Sequence, residues 1–399
     1  MGLSHPLEKI AVAEGPENGA IPVGGPKVAW VTNVAAPYRR PVWDALSKMV
    51  PLDVLLLEND GRLMRLKRRG SDWTVKSLGA RRWGVNVLKT IRVARGETEV
   101  YLADPVQVAK VTKEAASLLL GGWESPAYWQ FLVEGKLRGC RLVGFYESTR
   151  SSNRFTRGPI ASARSFFFRA MDAVVVPGAA AKDALIAMGV PPRRIVVGFN
   201  AVDVAQFERL SRSKRDSAYQ PSDGHRFIYV GQLIERKNVD GLILAFKSIR
   251  KEGDSLTIVG GGEKCASLML LVDELGLSES IHFVDSTDNL SVSELMALSN
   301  TLVLPSHEEV WGLVVNEALA CGLHVVVTSY SGVASSVAHM KGVFISEQPA
   351  QGSLARGMEL SREHWNGWIA KPEILKHTPS AYAETFRGAL LDQTEKPGA

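Results

Sequence analysis

Cysteine is scarce: Cys140, Cys265 and Cys321 are the only three in 399 residues, an odd number without metal-ligand spacing. A disulfide framework is therefore not expected, and the count fits a reducing compartment. The eight histidines show no paired ligand spacing either, so no catalytic metal and no cofactor beyond a co-substrate is expected. No apolar run approaches the roughly 18 residues that a spanning helix needs. Residues 1–26 lack an apolar signal core and read as a polar, flexible tail, so the expected location is cytoplasmic. No Ser-His-Asp arrangement suggests itself. The first apolar run, Lys27 to Asn33, leads into Asn33-Val34-Ala35-Ala36 rather than G-x-G-x-x-G, which argues against a nicotinamide-dependent oxidoreductase.

What is present is a soluble composition, 45% hydrophobic and 22% charged, long enough for two domains. Short apolar runs alternate with helical spacing. Lys27–Asn33, Leu52–Leu57, Val100–Ala103, Arg141–Phe145 and Ala173–Val176 predict strands. Tyr38–Met49, Val106–Leu120, Ala127–Leu137 and Ala161–Met171 predict helices. The pattern breaks at Pro191-Pro192, and a polar linker is expected around Ser211–His225. A second series then runs through strands Phe227–Val230, Ser255–Val259, Ile281–Val284, Thr301–Leu304 and His324–Thr328, each followed by a helix or turn. Alternation of this kind predicts an α/β protein with parallel sheets covered on both faces. Two Rossmann-like halves facing across a cleft is the economical architecture, with ligands at the carboxyl ends of the strands.

The net charge of +5 is unevenly placed. Between Arg62 and Arg95 stand eleven basic residues against one acid, Asp72, with Leu63, Leu66, Trp73 and Trp83 interleaved. This mixture suits an anionic membrane surface and equally suits nucleic-acid phosphates; the membrane is the reading favoured here. A second cluster, Arg150, Arg154, Arg157, Arg164 and Arg169, surrounds Phe166-Phe167-Phe168. It reads either as such a surface or as a solvated face over buried aromatics.

The most informative stretch is Leu302–Gly322, LVLPSHEEVWGLVVNEALACG. It reads as an apolar strand, a polar turn holding Glu308 and Glu309, and a helix opening near Gly312 with Glu317 in its first turns. A free helix N-terminus favours an anion such as a diphosphate. Carboxylates on both sides of it suit a ligand with hydroxyls at both ends, the shape of a nucleotide-sugar.

The block Glu309-Val310-Trp311-Gly312-Leu313 followed by Glu317-Ala318-Leu319-Ala320-Cys321-Gly322 resembles the E-x7-E motif of retaining family 4 glycosyltransferases with the GT-B fold. The resemblance spans most of residues 27–345 and is sharp from Gly231 to Gly322. After the flexible tail (1–26), it implies an N-terminal Rossmann-like acceptor domain (27–200), a C-terminal Rossmann-like nucleotide-sugar donor domain (201–372) and a C-terminal helix (373–399) returning to the first domain. Lys237 and Arg236, in the Gly231–Asn238 loop, would contact the donor's phosphates, with arginine in many relatives where Gln232 stands here. Gly231, Gln232, Gly261, Asp285, Val310, Trp311, Gly312, Leu313 and Glu317 would bind the donor, Glu317 through its ribose. Glu309 would hold the transferred sugar. Glu147, in Tyr146-Glu147-Ser148-Thr149, would bind sugar hydroxyls or take the acceptor's proton, or else serve a structural role. Tyr38, Arg39 and Trp123 are candidates for the acceptor.

The resemblance thus implies a retaining hexosyltransferase moving sugar from a UDP- or GDP-linked donor to a hydroxyl, without a protein nucleophile. A lipid-linked glycan acceptor in polysaccharide or glycolipid biosynthesis is expected, with the enzyme peripheral at the inner face of the membrane. The alternative is a basic nucleic-acid-binding protein or a transferase that sugars nucleic-acid bases, although nucleic acid is not the expected partner.

Overall fold

The computed structural model describes residues 24–58, 74–75, 78–95, 98–153, 155–218, 224–285 and 288–392. The chain divides into two compact units, Met1–Phe145 with Arg387–Ala399, and Tyr146–Phe386.

In the first unit, strands β1 (Val28–Thr32), β2 (Leu52–Leu56), β3 (Gly84–Val87), β6 (Ser117–Leu120) and β7 (Arg141–Phe145) pair in parallel in the order β3-β2-β1-β6-β7. Helices α1 (Arg40–Leu46), α2 (Pro105–Glu114) and α3 (Pro126–Leu137) connect them. Strand β6 corrects one expectation, since Ser117–Leu120 had the reading of a helix end. Helix α2 stops at Glu114, and SLLL is buried at every position, so both of its faces are covered. A four-residue apolar run carries no period that separates strand from helix. At the other end of the chain, the Leu390 and Ala389 carbonyls accept from Ser117 Oγ at 2.9 Å and Arg141 Nε at 2.7 Å.

Strands β4 (Thr90–Arg95) and β5 (Thr98–Ala103) form an antiparallel ribbon of their own. Part of the basic stretch is thereby accounted for. Trp83 is no surface aromatic: it is buried against Trp43, ring centroids 5.2 Å apart, and its indole donates to Asp44 at 2.7 Å. Leu63, Leu66 and Trp73, with the basic residues at 62–69 and Lys76, lie outside the described residues.

The second unit opens with α4 (Pro159–Arg169), β8 (Ala173–Val176), α5 (Ala179–Ala187) and β9 (Ile195–Val197). Here Phe167 and Phe168 are fully buried, and Arg164 donates to Asn153 Oδ1 at 2.9 Å and the Phe155 carbonyl at 2.7 Å. The aromatic part of the second basic cluster is core, with Phe166 alone exposed. Helix α6 (Val204–Ala218) replaces the start of the expected polar linker. Val204, Phe207 and Ser211 recur at helical spacing and are buried under an otherwise charged surface.

A six-stranded parallel sheet follows in the order β12-β11-β10-β13-β14-β15, from β10 (Arg226–Val230), β11 (Ser255–Val259), β12 (Ile281–Val284), β13 (Thr301–Leu304), β14 (His324–Thr328) and β15 (Val343–Ser346). Its connecting helices are α7 (Val239–Ile249), α8 (Cys265–Glu274), α9 (Asn289–Ala297), α10 (Leu313–Ala320), α11 (Ala334–Val337) and α12 (Gln351–Glu363), with α13 (Pro379–Leu391) last.

The amino ends of these strands hold a buried polar cluster. His225 Nε2 and Thr301 Oγ1 lie 2.8 Å apart, Thr301 Oγ1 and Ser361 Oγ 2.7 Å apart, and His324 Nδ1 lies 3.1 Å from the Ser361 carbonyl. Arg362 pairs with Asp254 at 2.7 Å beside them. Burial pulls the His225 pKa down from 6.5 to about 4, with Asp254 opposing the shift. Protonation therefore favours the unfolded chain. The stability supplied by the neutral ring should be complete above about pH 6.5 and lost progressively towards pH 4, on the order of 3 kcal/mol. Urea unfolding at pH 7.5, 6 and 4.5 measures this. His225→Gln should flatten the dependence, and an equally steep slope in that variant would assign it elsewhere.

Candidate functional site

In an open parallel sheet, strands on either side of the point where the order reverses send their following loops in opposite directions, leaving a crevice at the carboxyl ends. In the second unit that point lies between β10 and β13. The loop after β10 carries Gly231–Asn238, and the loop after β13 carries Pro305–Gly312. Lys237 and Glu309 therefore come from opposite sides of one crevice. Their side chains form an ion pair, Lys237 Nζ to Glu309 Oε2, with only 11% and 14% of each side chain exposed.

Both partners are held by backbone. Lys237 ends a short 3-10 turn, Glu235–Lys237, closed by Asn238 in the left-handed conformation at φ 53°. Asparagine tolerates that region better than most residues, and this one is further fixed because its side-chain amide donates to the Pro305 and Pro349 carbonyls at 3.0 and 2.7 Å. Glu309 bridges in parallel to Ser331, its carbonyl accepting from Gly332 N–H at 2.9 Å. Arg236 lies alongside, donating to the Glu308 carbonyl at 3.3 Å. Beneath the pair, Tyr229 donates to the Gln232 carbonyl at 2.8 Å. Burial pushes the Tyr229 phenol well above its ordinary value, and the Glu309 carboxylate adds to the shift.

Gly312 starts α10 with φ 98°, where a Cβ would sit 2.8 Å from Leu304 Cδ2 and 3.4 Å from Glu309 Cγ. Only glycine fits, and Glu309 thereby folds against the helix start. No side chain caps this end, and although the Val315 N–H bonds the Gly312 carbonyl at 2.9 Å, the positive end of the helix dipole favours an anion here. Val310 and Leu313 flank it. The Trp311 indole is buried, packed edge-on against Phe199 at 5.1 Å, and donates to Asn316 at 3.3 Å. Glu317 is the fifth residue of α10. Water reaches part of its side chain, yet protein atoms surround the carboxyl, and desolvation raises its pKa from 4.5 to about 7.

The loops after β10 and β11 are in direct backbone contact. A Cβ on Gly260 would lie 1.9 Å from the Gly231 carbonyl oxygen, and one on Gly262 2.3 Å from that of Leu233. Gly261 ties them, its carbonyl accepting from Leu233 N–H at 2.9 Å. Gln232 is exposed on this loop, and Asp285 is exposed just after β12.

The first unit repeats the arrangement, with its reversal between β1 and β6. Tyr38 and Arg39 sit in a turn, Pro37–Arg39, after β1, and Trp123 sits in the loop after β6. Asn33 joins the two loops, accepting from Tyr128 OH at 2.8 Å and donating to Glu124 at 3.1 Å. Arg39 is mostly buried, its guanidinium 4.4 Å above the Phe145 ring and 5.4 Å from that of Tyr38. Glu147 belongs to the second unit, where Asn200 Nδ2 donates to its Oε1 at 3.1 Å.

Three residues around the site escaped the sequence reading. Asn316 is fully buried in α10 and donates to the Asn200 carbonyl at 2.6 Å, linking the motif helix to the residue that holds Glu147. Asn238 and Tyr229 brace Lys237 and Glu309. A lone polar residue in the apolar run Leu313-Val314-Val315-Asn316 was the signal available for the first. Among the described residues no group of three or more His, Cys, Asp or Glu could hold a metal ion.

Residues 211–365 match the glycosyl transferases group 1 family. The chain is 28% identical over 151 residues to N-acetyl-alpha-D-glucosaminyl L-malate synthase of Bacillus anthracis, covering 37% of this chain and 39% of that one. It is 33% identical over 130 residues to the lipopolysaccharide glucosyltransferase WaaG of Escherichia coli, covering 32% and 34%. The matches thus span well under half of these relatives. The fold of the whole chain resembles that of Anabaena Alr3699/HepE, crystallised in complex with UDP, with a TM-score of 0.67 at 16% identity over 92% of this chain and 96% of that one. The architecture is GT-B.

The Glu317 carboxyl gives a direct check on the site's geometry. Above pH 7 its ionised form is penalised in the fold, and the penalty is relieved as pH falls from about 7 to 4.5. Glu317→Gln should therefore be more stable than the parent at pH 8, by up to about 3 kcal/mol less the discount for water access. The advantage should shrink to nothing near pH 4.5. Thermal unfolding at both pH values reads it, and an advantage independent of pH would mean the carboxyl is not desolvated.

Proposed function

Taking residues 211–365 as a member of the glycosyl transferases group 1 family carried on a GT-B fold, we propose that the protein is a retaining hexosyltransferase acting from a nucleoside-diphosphate sugar. The observation that carries this reading is the Lys237–Glu309 pair laid across the sheet's reversal point, beside the uncapped start of α10. Within the protein the two charges satisfy one another. An incoming diphosphate offers Lys237 a second anion, and the transferred hexose offers Glu309 hydroxyl donors, so the pair becomes a clamp on the bond to be broken.

As the sugar leaves the phosphate, negative charge grows on the diphosphate. Lys237, Arg236 and the N–H groups from Val310 to Leu313 stabilise it, and because they are positioned beforehand they need no reorganisation during the reaction. Glu317 accepts hydrogen bonds from the ribose in its ionised form. Retention follows a front-face route in which the leaving phosphate helps deprotonate the acceptor hydroxyl, without a protein nucleophile. Glu147, held by Asn200, binds hydroxyls of donor or acceptor.

UDP is the first nucleotide to test, since HepE was crystallised with UDP and with UDP-glucose. A lipid-linked glycan is the proposed acceptor, supported by the similarity to a lipopolysaccharide glucosyltransferase, with Tyr38, Arg39 and Trp123 receiving it. The enzyme would work at the cytoplasmic face of a membrane. No helix among the described residues is long and apolar enough to cross one.

Glu309→Gln should lose transfer by roughly hundredfold or more while remaining folded by circular dichroism, as expected for an interaction strengthened in the transition state. Glu317→Gln should mainly raise the donor KM, and should abolish the loss of donor affinity that the parent shows as pH falls below 7. Unimpaired transfer in both variants would overturn the assignment.

A further inference from the structure

The first unit exposes more apolar surface than its core requires. In the β4–β5 ribbon, Tyr101 and Ala103 are buried, so their face packs on the unit. The opposite face carries Ile91, Val93 and Leu102, exposed by 68%, 58% and 40%, with Ile91 and Leu102 directly across the ladder. A strand's side chains alternate between faces, so these three share the outer one.

Elements adjoining the ribbon add further exposed apolar side chains. Gln130 of α3 clamps the end of β5, its amide oxygen accepting from Ala103 N–H at 2.8 Å and its amide nitrogen donating to the Ala103 carbonyl at 3.0 Å. One and two turns further along α3 stand Val133 and Leu137, exposed by 57% and 78%, and Val106 at the start of α2 is 76% exposed. A groove of about 430 Å³ runs between the two helices, lined by Pro105, Val108, Trp129 and Val133 among others. Six large apolar side chains thus project from adjoining elements of one unit.

The charges around them that lack an ion-pair or capping partner are of one sign. Among the described residues here, the acids are already engaged: Glu99 pairs with Arg92 at 3.3 Å, Glu134 with Arg138 at 2.7 Å, and Glu114 with Lys27 at 3.0 Å, while Asp104 caps α2. Lys89, Lys110, Lys113 and Lys136 are exposed and make no ion pair among the described residues. Lys110 and Lys113 follow Val106 at four and seven residues, on its helix face, and Lys136 adjoins Leu137.

We propose that this surface docks on an anionic phospholipid bilayer. Ile91, Val93, Leu102, Val106, Val133 and Leu137 enter the headgroup–acyl boundary, and the four lysines meet lipid phosphates while their stems lie along the apolar layer. A second copy of the chain fits less well. A twofold contact sets the same patch against itself, bringing the unpaired lysines of each copy towards those of the other. The proposal deepens the reading of a lipid-linked acceptor, because docking would hold the first unit at the surface where such an acceptor lies. It does not depend on that reading, since it is read by partition rather than by transfer.

The test is sedimentation of the full chain with vesicles of phosphatidylcholine alone or mixed with phosphatidylglycerol, at low and high salt. Binding should require the anionic lipid and weaken as salt rises. Ile91→Ser with Val93→Ser should reduce the partition coefficient at least several-fold. Lys110→Glu with Lys113→Glu should reduce it by more than tenfold, on the order of fivefold per cation removed from the surface. All four positions are exposed, so the melting temperature should stay unchanged, and hydrolysis of the donor in solution should persist in both double variants.

Unchanged partition in both double variants would overturn the proposal. So would a concentration-dependent dimer that disappears in Ile91→Ser/Val93→Ser, since the face would then belong to a second copy. Loss of partition with donor hydrolysis intact supports docking. Absence of any nucleotide-sugar activity in the parent counts against the proposed function and leaves the vesicle result standing.

Discussion

A cation and an anion drawn largely out of water persist only together, and the second unit is arranged around one such pair. Removing either partner leaves an uncompensated charge at a cost of about 3–5 kcal/mol where burial is complete. Lys237 and Glu309 thus constrain both loops that flank the reversal of the sheet. The pair is weak evidence for stability, because two apolar residues of similar size would serve the fold as well. What it provides is a prepared site, in which a positive group, a carboxylate and an uncapped helix start converge before any ligand arrives.

The surroundings keep that convergence narrow. Asn238 fastens the lysine's turn to Pro305 and Pro349, one at the end of β13 and one before α12. Gly312 lets α10 begin where any side chain would collide with Leu304. Asn316 anchors the same helix to Asn200, which in turn holds Glu147. Asn238 and Asn316 both bond backbone carbonyls, so their positions follow from the path of the chain. The amino ends of the strands carry a separate polar cluster around His225 and Thr301 that touches none of these residues in the contacts described. Stability and site chemistry therefore occupy opposite ends of the sheet, and mutations at one end should read out differently from mutations at the other.

Much of this was legible in the sequence, for reasons that differ by element. The strands of the second unit stood out because they are short apolar runs ending in glycine or polar turns. The pair of glutamates was legible because the strand, turn, glycine and helix around them restrict what the spacing can mean. Ser117–Leu120 was lost to the preceding helix, since four consecutive apolar residues have no period. The helix at Val204–Ala218 was hidden by its charged surface, its buried stripe being only Val204, Phe207 and the polar Ser211. Trp83 looked like a surface aromatic and the Phe166–Phe168 run could be read either way, because neighbouring arginines dominate the local composition, whereas burial depends on partners distant in sequence. Asn316 and Asn238 gave little sign, because hydrogen bonds to backbone carbonyls leave no trace in residue spacing.

The proposed activity requires a diphosphate site between Lys237 and the start of α10, and titration of UDP and GDP into the parent and into Lys237→Met tests for it most directly. Saturable binding of one nucleotide by the parent, weakened roughly tenfold or more in the variant, is the expected result, a charge-assisted contact to phosphate contributing about 1.5–3 kcal/mol. Binding of neither nucleotide, or equal affinity in parent and variant with the fold intact, would contradict it.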